Sequence, residues 1–283
     1  MTAVVGQFNL SQEAYEFIAK LVYAQSRIRL GPDKQALVSG RLAKRLRHLR
    51  LRDFDEYCVL LQSAAGAAEI GPLVDVISTN HTHFFRESGS LDFLRDHILP
   101  EWKARPGASR EPFRIWSAAC SSGEEPYTLA IVLAEFARAN GALAWQIEAS
   151  DISTRILAQA RAGVFATERV KLPDPTLLSR YFQKGVGANA GQFRVKDALS
   201  QSVRFHQLNL LQAQYPVEPH QHVIFCRNVM IYFDQETQQQ LVAKLHAHLV
   251  PGGYLVVGHS ESLLSISHKL KQVRPAIYRR DPA

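Results

Sequence analysis

The sequence predicts an α/β protein: a small all-helical N-terminal domain, then a Rossmann-like domain that carries a small inserted antiparallel β-subdomain. Two observations predict this fold class. Up to about residue 80 the apolar residues recur at helical spacing, whereas from about residue 113 short apolar strands alternate with helical segments. We therefore predict a helical domain over residues 1–76, an α/β domain over residues 77–283 and the β-subdomain over residues 181–200.

Capping signals and apolar spacing define the helices of the first domain. Ser11 can cap the first helix, and Asp53 with Glu56 forms a capping-box pattern at the start of a later one. Apolar residues at positions 70, 73, 74 and 77 follow the i, i+3, i+4, i+7 course of a helix that faces a core.

A basic amphipathic helix is predicted within the same domain. Six Arg or Lys residues lie between positions 41 and 52, and leucines recur among them at helical spacing. Arg41, Arg45, His48 and Arg52 would form one positive stripe on this helix. The stripe and the net charge of +7 favour an acidic partner, and the alternative is an ordinary solvated helix face.

Strands and helices alternate through the second domain. The predicted strands cover residues 113–117, 147–150, 203–207, 223–226, 254–257 and 276–279. The predicted helices cover residues 126–139, 153–162 and 235–249, the last one ending at a Pro-Gly-Gly sequence. Gly185, Gly187 and Gly191 punctuate a hairpin between the second and third strands, which is the predicted β-subdomain.

Composition limits the class of protein. A hydrophobic fraction of 46% over 283 residues can bury a core. No run of about 18 apolar residues is present, and the first ten residues lack a signal-peptide pattern, so we expect a cytoplasmic protein without membrane insertion. The three cysteines are far apart, and neither they nor the two His-x-His pairs have a further ligand at metal-binding spacing, so we expect no metal.

The loop after the first strand, residues 117–126, is a candidate ligand site, because ligands of open α/β sheets lie beyond the carboxyl ends of the strands. Its small side chains and single glycine would let a ligand approach the backbone. Glu124 and Glu125 would oppose a phosphate, and they fit a positively charged ligand such as S-adenosylmethionine. The alternative is ordinary complementarity to the helix dipole.

Polar residues follow the next strands. Asp151 ends the second strand, where a dinucleotide fold places the carboxylate that binds ribose hydroxyls; helix capping is the alternative, and the two roles can coexist. Asn209 follows the third strand, and Arg227 with Asn228 follows the fourth. Together these residues predict a polar rim along one edge of the sheet.

Four motifs, at residues 79–86, 117–127, 225–233 and 258–262, resemble the chemotaxis receptor methyltransferases, the CheR family. The similarity covers nearly the whole chain. It implies methyl esterification of glutamate side chains on the cytoplasmic helices of chemoreceptors, with S-adenosylmethionine as donor and S-adenosylhomocysteine as product. The cofactor contacts that the resemblance implies are Asn80, Thr82, Arg86, Glu125, Asp151, Asn209, Leu210, Arg227 and Asn228.

The resemblance also implies two partner-binding regions. The family uses a basic N-terminal helix to meet the acidic receptor surface, which here would be the helix of Arg41, Arg45 and Arg52. Residues 185–195 are similar to the β-subdomain loop of members that dock a receptor's C-terminal peptide, which implicates Gly185, Gly187 and Arg194. The alternative for this loop is a hairpin that binds no ligand.

The implied chemistry requires positioning more than proton transfer. A glutamate side chain has an ordinary pKa near 4.3 and is already an anion at neutral pH. We expect Arg86 and Tyr232 near the transferred methyl group, with Arg86 holding a carboxylate. The alternatives are a structural ion pair for Arg86 and packing beside Phe233 for Tyr232.

The sequence also bears on three alternative functions. A nucleic-acid methyltransferase would place aromatic residues in its basic helix for stacking bases, and this helix has none, so no nucleic-acid partner is expected. A non-catalytic cofactor-binding signalling module stays open. The segment 258–262 approaches the hydrolase pattern G-x-S-x-G but lacks its final glycine.

Overall fold

The computed structural model describes residues 8–78, 80–108 and 111–282. The chain divides into two compact units, of which the first contains Met1–Thr79 and Tyr232–Asp234 and the second contains Asn80–Ile231 and Gln235–Ala283. The division follows Thr79, a few residues after the predicted boundary, because the last helix of the first unit continues to Ile77. The three-residue segment joins the first unit through hydrogen bonds to the first helix and the loop that follows it.

The first unit is all-helical, as predicted. Its helices are α1 (Gln12–Ser26), α2 (Gln35–Leu49), α3 (Phe54–Gln62) and α4 (Ile70–Ile77). Apolar residues from all four helices share one core, including Ile18, Val22, Leu42, Leu46, Tyr57 and Leu73, none of which is exposed. Periodic apolar spacing therefore placed both the helices and their buried faces.

The predicted caps are present at two helix starts. Ser11 Oγ accepts from the Ala14 amide at 3.2 Å, and the Asp53 carboxylate accepts from the Glu56 amide at 2.9 Å. In a capping box Glu56 would in turn accept from the amide of Asp53. Here it accepts from the amide of the preceding residue, Arg52, at 2.7 Å.

The second unit is built on a seven-stranded sheet of order β6-β2-β1-β7-β8-β10-β9. The strands are β1 (Phe113–Ala118), β2 (Trp145–Asp151), β6 (Val203–Gln207), β7 (Gln221–Cys226), β8 (Leu249–Val257), β9 (Leu270–Arg274) and β10 (Ile277–Arg280). The five strands from β6 to β8 are parallel, and β10 pairs antiparallel with β8 and β9. All six predicted strands are present, and their parallel pairing brings the carboxyl ends of β1, β2, β6, β7 and β8 to one edge.

Helices cover this sheet. They are α5 (Ser88–Phe93), α6 (Leu99–Lys103), α7 (Glu124–Asn140), α8 (Thr154–Ala162), α10 (Asp197–Ser200) and α11 (Gln235–His248), with a π-helical turn at Leu94–Ile98. The three predicted helices correspond to α7, α8 and α11. The Pro-Gly-Gly sequence does not end α11 but lies inside β8, which makes that expectation wrong. A side chain at Gly253 would place Cβ 2.9 Å from Val250 O and 3.1 Å from His222 O, so the glycine permits a close approach of the β8 backbone to β7.

A small antiparallel sheet of order β3-β5-β4 forms a separate element of the second unit. It contains β3 (Val164–Ala166), β4 (Phe182–Lys184) and β5 (Gln192–Val195), and α9 (Pro175–Tyr181) lies between β3 and β4 in sequence. The predicted hairpin is β4 and β5. Strand β3 precedes the predicted range, because three residues are too few to show an alternating pattern.

Glu135 ties helix α7 to helix α9 beside this sheet. Its carboxylate accepts from Arg138 at 2.8 Å and from Arg180 at 2.6 Å, and also from the Tyr181 hydroxyl. Partial burial opposes ionisation, but these hydrogen bonds prevail and lower the pKa of Glu135 to about 2. The carboxylate therefore stays charged throughout the neutral range.

Candidate cofactor site

The loop between β1 and α7 has a constrained backbone. Ala119, Ser121 and Gly123 alternate in the left-handed region, with φ of 65°, 50° and 98°. A β-carbon on Gly123 would also lie 3.1 Å from Ala160. Left-handed conformations in residues other than glycine persist where the surroundings over-determine them, and they cluster at functional sites.

Two further loops of the second unit carry the same backbone feature. Phe85 and Glu87, which flank Arg86, have φ of 55° and 54°, and Asn228 has φ of 59°. The three loops are the ones that hold most of the predicted cofactor contacts. Backbone strain and the sequence motifs therefore point to the same region.

Asp151 connects the ends of β1 and β2. Its carboxylate, in a residue 6% exposed, accepts from the amides of Ser121 at 2.9 Å and Ser153 at 3.0 Å. The cap of α8 is Ser153, whose Oγ accepts from the Ile156 amide at 3.2 Å. The N-cap of α8 is therefore Ser153 rather than Asp151, and the Asp151 carboxylate binds the backbone of the loops after β1 and β2.

The two glutamates at the start of α7 have different surroundings. Glu124 is fully buried, accepts from Ser122 Oγ at 2.7 Å and forms an ion pair with Arg169. Burial raises the pKa of Glu124, while Ser122 and Arg169 oppose the rise. The expectation that Glu124 serves a positively charged ligand is thus wrong, because an internal cation already compensates it.

Glu125 and Arg227 form the centre of a buried polar network. Glu125 accepts from Ser117 Oγ at 2.7 Å and from Arg227 Nε at 2.7 Å. The side chain of Arg227 is 3% exposed, and its Nη1 also donates to Arg86 O at 2.8 Å and lies 3.5 Å from Glu87 Oε2. One guanidinium therefore joins the loops after β1 and β7 to the segment around Arg86.

The remaining predicted contacts lie on the same loops. Asn80 O accepts from Ser121 Oγ at 3.2 Å, Arg86 Nη1 donates to His81 O at 2.8 Å, and Asn228 Nδ2 lies 3.4 Å from Glu87 Oε1. Asn209 and Leu210 directly follow Leu208, whose amide donates to Asp151 O at 2.9 Å. Thr82 is half-buried between Asn80 and Arg86 in sequence.

Tyr232 belongs to the first unit, whereas these loops belong to the second. It is half-buried, and its carbonyl accepts from the Arg29 amide at 3.0 Å. Its expected position near the methyl group stays a prediction, as do the roles of the other site residues.

Sequence reasoning did not assign several residues of the network. Ser121 lies inside a recognised motif and Glu87 directly follows another, so their position was the available signal. Arg169 had none, because it reaches Glu124 across 45 residues of sequence. Glu261 also lies in a recognised motif, and its buried carboxylate binds backbone amides of the loop after β7.

The arginines of the predicted positive stripe do not form a free positive surface on α2. Arg45 forms a two-bond ion pair with Glu69 at 2.8 and 2.5 Å, and Arg41 donates to Ile77 O. Helix α2 ends at Leu49, so Arg52 lies beyond it and pairs with Glu56. Tertiary contacts thus occupy Arg41 and Arg45, whereas Arg52 forms an exposed pair with its sequence neighbour Glu56.

Other cations on α2 face solvent. Lys44, Arg47 and the C-cap residue Arg50 are exposed. Within residues 8–78, 80–108 and 111–282, none of the three forms an ion pair. The free positive charge of α2 therefore lies at these residues rather than at Arg41, Arg45 and Arg52.

In the small sheet, Arg194 pairs with Asp197 at 2.6 Å, and both side chains are more than half exposed. Gly187 has φ of 57°, and a β-carbon on Gly185 would lie 2.0 Å from Asn189 O. The glycine positions are therefore required by the turn itself.

The fold and the carboxyl edge of the sheet define the class of protein. It has an α/β domain whose constrained first loop and buried acidic residue at the end of β2 suit a nucleoside-containing cofactor. Residues 80–278 match the family model described as "CheR methyltransferase, SAM binding domain", and residues 13–78 match "CheR methyltransferase, all-alpha domain". The chain belongs to the CheR methyltransferase family, which confirms the resemblance, and its second unit contains the domain that binds S-adenosylmethionine.

Relatives of similar length support this assignment. A chemotaxis protein methyltransferase of Escherichia coli is 40% identical over 95% of this chain and 91% of its own length. Chemotaxis protein methyltransferase 2 of Pseudomonas aeruginosa is 40% identical, over 96% and 94% respectively. A chemotaxis protein methyltransferase of Borreliella burgdorferi is 36% identical over 96% of both chains.

Two features are absent from the part of the chain that the structure describes. No helix in this part of the chain has the length and apolar character needed to cross a bilayer. No group of three or more His, Cys, Asp or Glu side chains among the same residues is arranged to hold a metal ion.

Proposed function

We propose that the protein methyl-esterifies glutamate side chains on the cytoplasmic helices of chemoreceptors, using S-adenosylmethionine, and that it acts in the cytoplasm. The observation that carries the proposal is the buried network of Arg227, Glu125 and Glu87, which joins the loops after β1 and β7 to the Arg86 segment. The names of the relatives support the receptor as substrate.

The residues present suit the cofactor. Asp151 places a largely buried carboxylate at the end of β2 for the ribose hydroxyls, and the small side chains of the first loop leave room for close approach. The proposed contacts are Asn80, Thr82, Arg86, Glu125, Asp151, Asn209, Leu210, Arg227 and Asn228. S-adenosylmethionine, when bound, supplies the methyl group.

The protein's part in the reaction is to bind and orient an anionic substrate. A glutamate carboxylate is ionised at neutral pH, so no general base is required. Arg86 uses one terminal N–H on His81 O and lies 3.8 Å from Glu87, which leaves other donors of its fork for a substrate carboxylate. Fixing two reactants in a near-attack geometry can lower the barrier by roughly 7 to 11 kcal/mol.

A methyl-transfer assay tests the proposal. The intact protein is incubated with methyl-labelled S-adenosylmethionine and cytoplasmic fragments of chemoreceptors, and the label on the receptor is treated with mild base. A base-labile label that is absent when the receptor glutamates are replaced by alanine supports the proposal. Base-stable label, or label only on added RNA or single-stranded DNA, contradicts it and favours a nucleic-acid or other methyltransferase.

We also propose that the exposed cations of α2 meet the acidic receptor surface, because Arg41 and Arg45 have partners within the first unit and Arg52 lies beyond the helix. Reversing two exposed charges, Lys44→Glu with Arg47→Glu, is expected to lower receptor methylation roughly threefold to tenfold at low salt. Affinity for S-adenosylhomocysteine should stay unchanged, since both residues lie in the helical unit.

The matched control is Lys269→Glu, a charge reversal at an exposed lysine of the second unit. Methylation rates are measured at low and high salt, because salt screens exposed charges over about 10 Å at 0.1 M. Equal rates for the wild type, the double variant and the control would contradict the proposal and show that these cations of α2 are only solvated. Charge reversal at Arg45 is avoided, because it would leave Glu69 buried without its cation.

The small sheet is a second proposed partner site. Strands β3 and β4 are its two edges, and an extended receptor tail can pair with such an edge through main-chain hydrogen bonds. The ion pair of Arg194 with Asp197 is exposed and therefore weak enough for Arg194 to exchange it for a peptide carboxylate.

A peptide that copies the receptor's last five residues is expected to bind the intact protein. Deleting residues 187–190 should abolish this binding without changing the affinity for S-adenosylhomocysteine, because the turn carries the edge strand. Titration calorimetry measures both. Unchanged peptide binding after the deletion would exclude the small sheet as the docking site.

A further inference from the structure

The segment that approaches the hydrolase pattern buries its glutamate rather than using its serine. Residues 258–262 follow β8, where Ser260 is exposed and Glu261 is 7% exposed. This places the carboxylate of Glu261 at the end of β8, next to the loop that follows the neighbouring strand β7.

Four backbone amides donate to this single carboxylate. Oε2 accepts from the amides of Asn228 and Gly258, both at 2.7 Å, and Oε1 accepts from Met230 at 2.7 Å and Ile231 at 3.3 Å. A carboxylate has about four lone-pair positions, so these donors occupy its whole acceptor capacity. Charge-assisted hydrogen bonds of this kind are about twice as strong as neutral ones.

The loop after β7, which Glu261 binds, has a backbone conformation that needs support from surrounding contacts. Asn228 lies in the left-handed region, and a residue other than glycine needs surrounding contacts to stay there. A β-carbon on Gly258 would lie 2.6 Å from Asn228 Nδ2 and 2.8 Å from Glu261 Oε2, so the glycine lets the end of β8 approach this loop.

We infer that Glu261 is a positioning residue for the cofactor site: it binds the backbone of residues 228–231 and thereby holds Arg227 and Asn228 in place for S-adenosylmethionine. The inference rests on the proposed cofactor contacts of these two residues. Glu261 itself reaches the cofactor only through the loop.

An amide cannot replace this carboxylate. All four partners are N–H donors, so the NH₂ group of a glutamine would have to face at least one of them. Burial raises the pKa of Glu261, and the four amides oppose the rise because they bind the ionised carboxylate.

The test compares Glu261→Gln with Glu148→Gln. Glu148 is a second carboxylate of the same unit, 2% exposed and bound to Gln146 and His206 on the sheet. We expect Glu261→Gln to weaken binding of S-adenosylhomocysteine about tenfold or more, and Glu148→Gln to leave it unchanged. In methyl transfer, the KM for S-adenosylmethionine should rise with a smaller change in kcat. A general loss of stability would affect both variants alike.

Two further measurements keep the inference testable if Glu261→Gln does not fold. Gly258→Ala, which crowds the same contact without altering the charge, should also weaken cofactor binding. In the wild type without cofactor, hydrogen exchange should find the amides of Asn228 and Met230 protected although they lie in a loop. Rapid exchange at both amides, or wild-type affinity in a folded Glu261→Gln, would overturn the inference.

Failure of the proposed site gives a different result. If Asn228→Ala binds S-adenosylhomocysteine as the wild type does, the assignment of Asn228 to the cofactor fails. If Asn228→Ala loses affinity while Glu261→Gln keeps it, only the role of Glu261 fails.

Discussion

Replacing Arg227 by leucine is expected to destabilise the second unit by about 3 to 5 kcal/mol and to abolish measurable binding of S-adenosylhomocysteine. The guanidinium is 3% exposed, and it is the cation that faces Glu125 at 2.7 Å and Glu87 at 3.5 Å. Without it, two largely buried carboxylates lose their compensating charge, and the carbonyl of Arg86 loses a donor. Urea unfolding and titration calorimetry measure the two effects.

Two variants control this experiment. Arg227→Lys keeps the charge but cannot reproduce the fork, so an intermediate loss is expected. Arg95→Leu removes an exposed arginine that pairs with Asp92 and Asp96, and it should cost under about 1 kcal/mol. If Arg227→Leu unfolded at the same urea concentration as Arg95→Leu, the buried network would not stabilise the unit as described.

Replacing Asp151 by alanine is expected to weaken binding of S-adenosylhomocysteine by about 1 to 3 kcal/mol. The variant removes the carboxylate proposed for the ribose hydroxyls. It also removes the acceptor of the Ser121 and Ser153 amides, so some loss of stability accompanies the loss of affinity. Calorimetry at a temperature where the variant is folded measures the affinity.

Ser153→Ala separates the two effects of the Asp151 substitution. It removes the cap of α8, which costs about 1 kcal/mol of stability, and leaves the carboxylate of Asp151 in place. Cofactor affinity should therefore stay near that of the wild type. A folded Asp151→Ala with unchanged affinity would remove Asp151 from the site.

Local signals in the sequence predicted most elements of the fold. Apolar period and capping placed α1 to α4 and six of the seven strands of the large sheet, because apolar spacing and cap residues act within one or two turns of chain. The missed elements were short or hidden: β3 has three residues, and β9 is an edge strand with a single buried residue, Leu270. The Pro-Gly-Gly sequence misled because it lies inside β8, where Gly253 permits a close approach to β7, rather than at a helix end.

The partners of charged side chains were predicted less well, because the tertiary fold determines which charges come together. Nothing near Arg45 in sequence pointed to Glu69, and nothing near Glu124 pointed to Arg169. Both arginine–glutamate pairs join residues more than 20 positions apart. Desolvation makes such pairing obligatory for a buried charge, but the sequence does not show which charges are buried.

The sequence by itself determined the class of fold, the family and the loops that carry the candidate cofactor residues, because each follows from local patterns and motifs along the chain. Only the tertiary structure decided which polar residues act on one another: the network around Arg227, the internal partners of Arg41 and Arg45, and the four amides bound by Glu261. Hydrogen bonds and ion pairs depend on distances of a few ångströms, and those distances exist only once strands distant in sequence have paired.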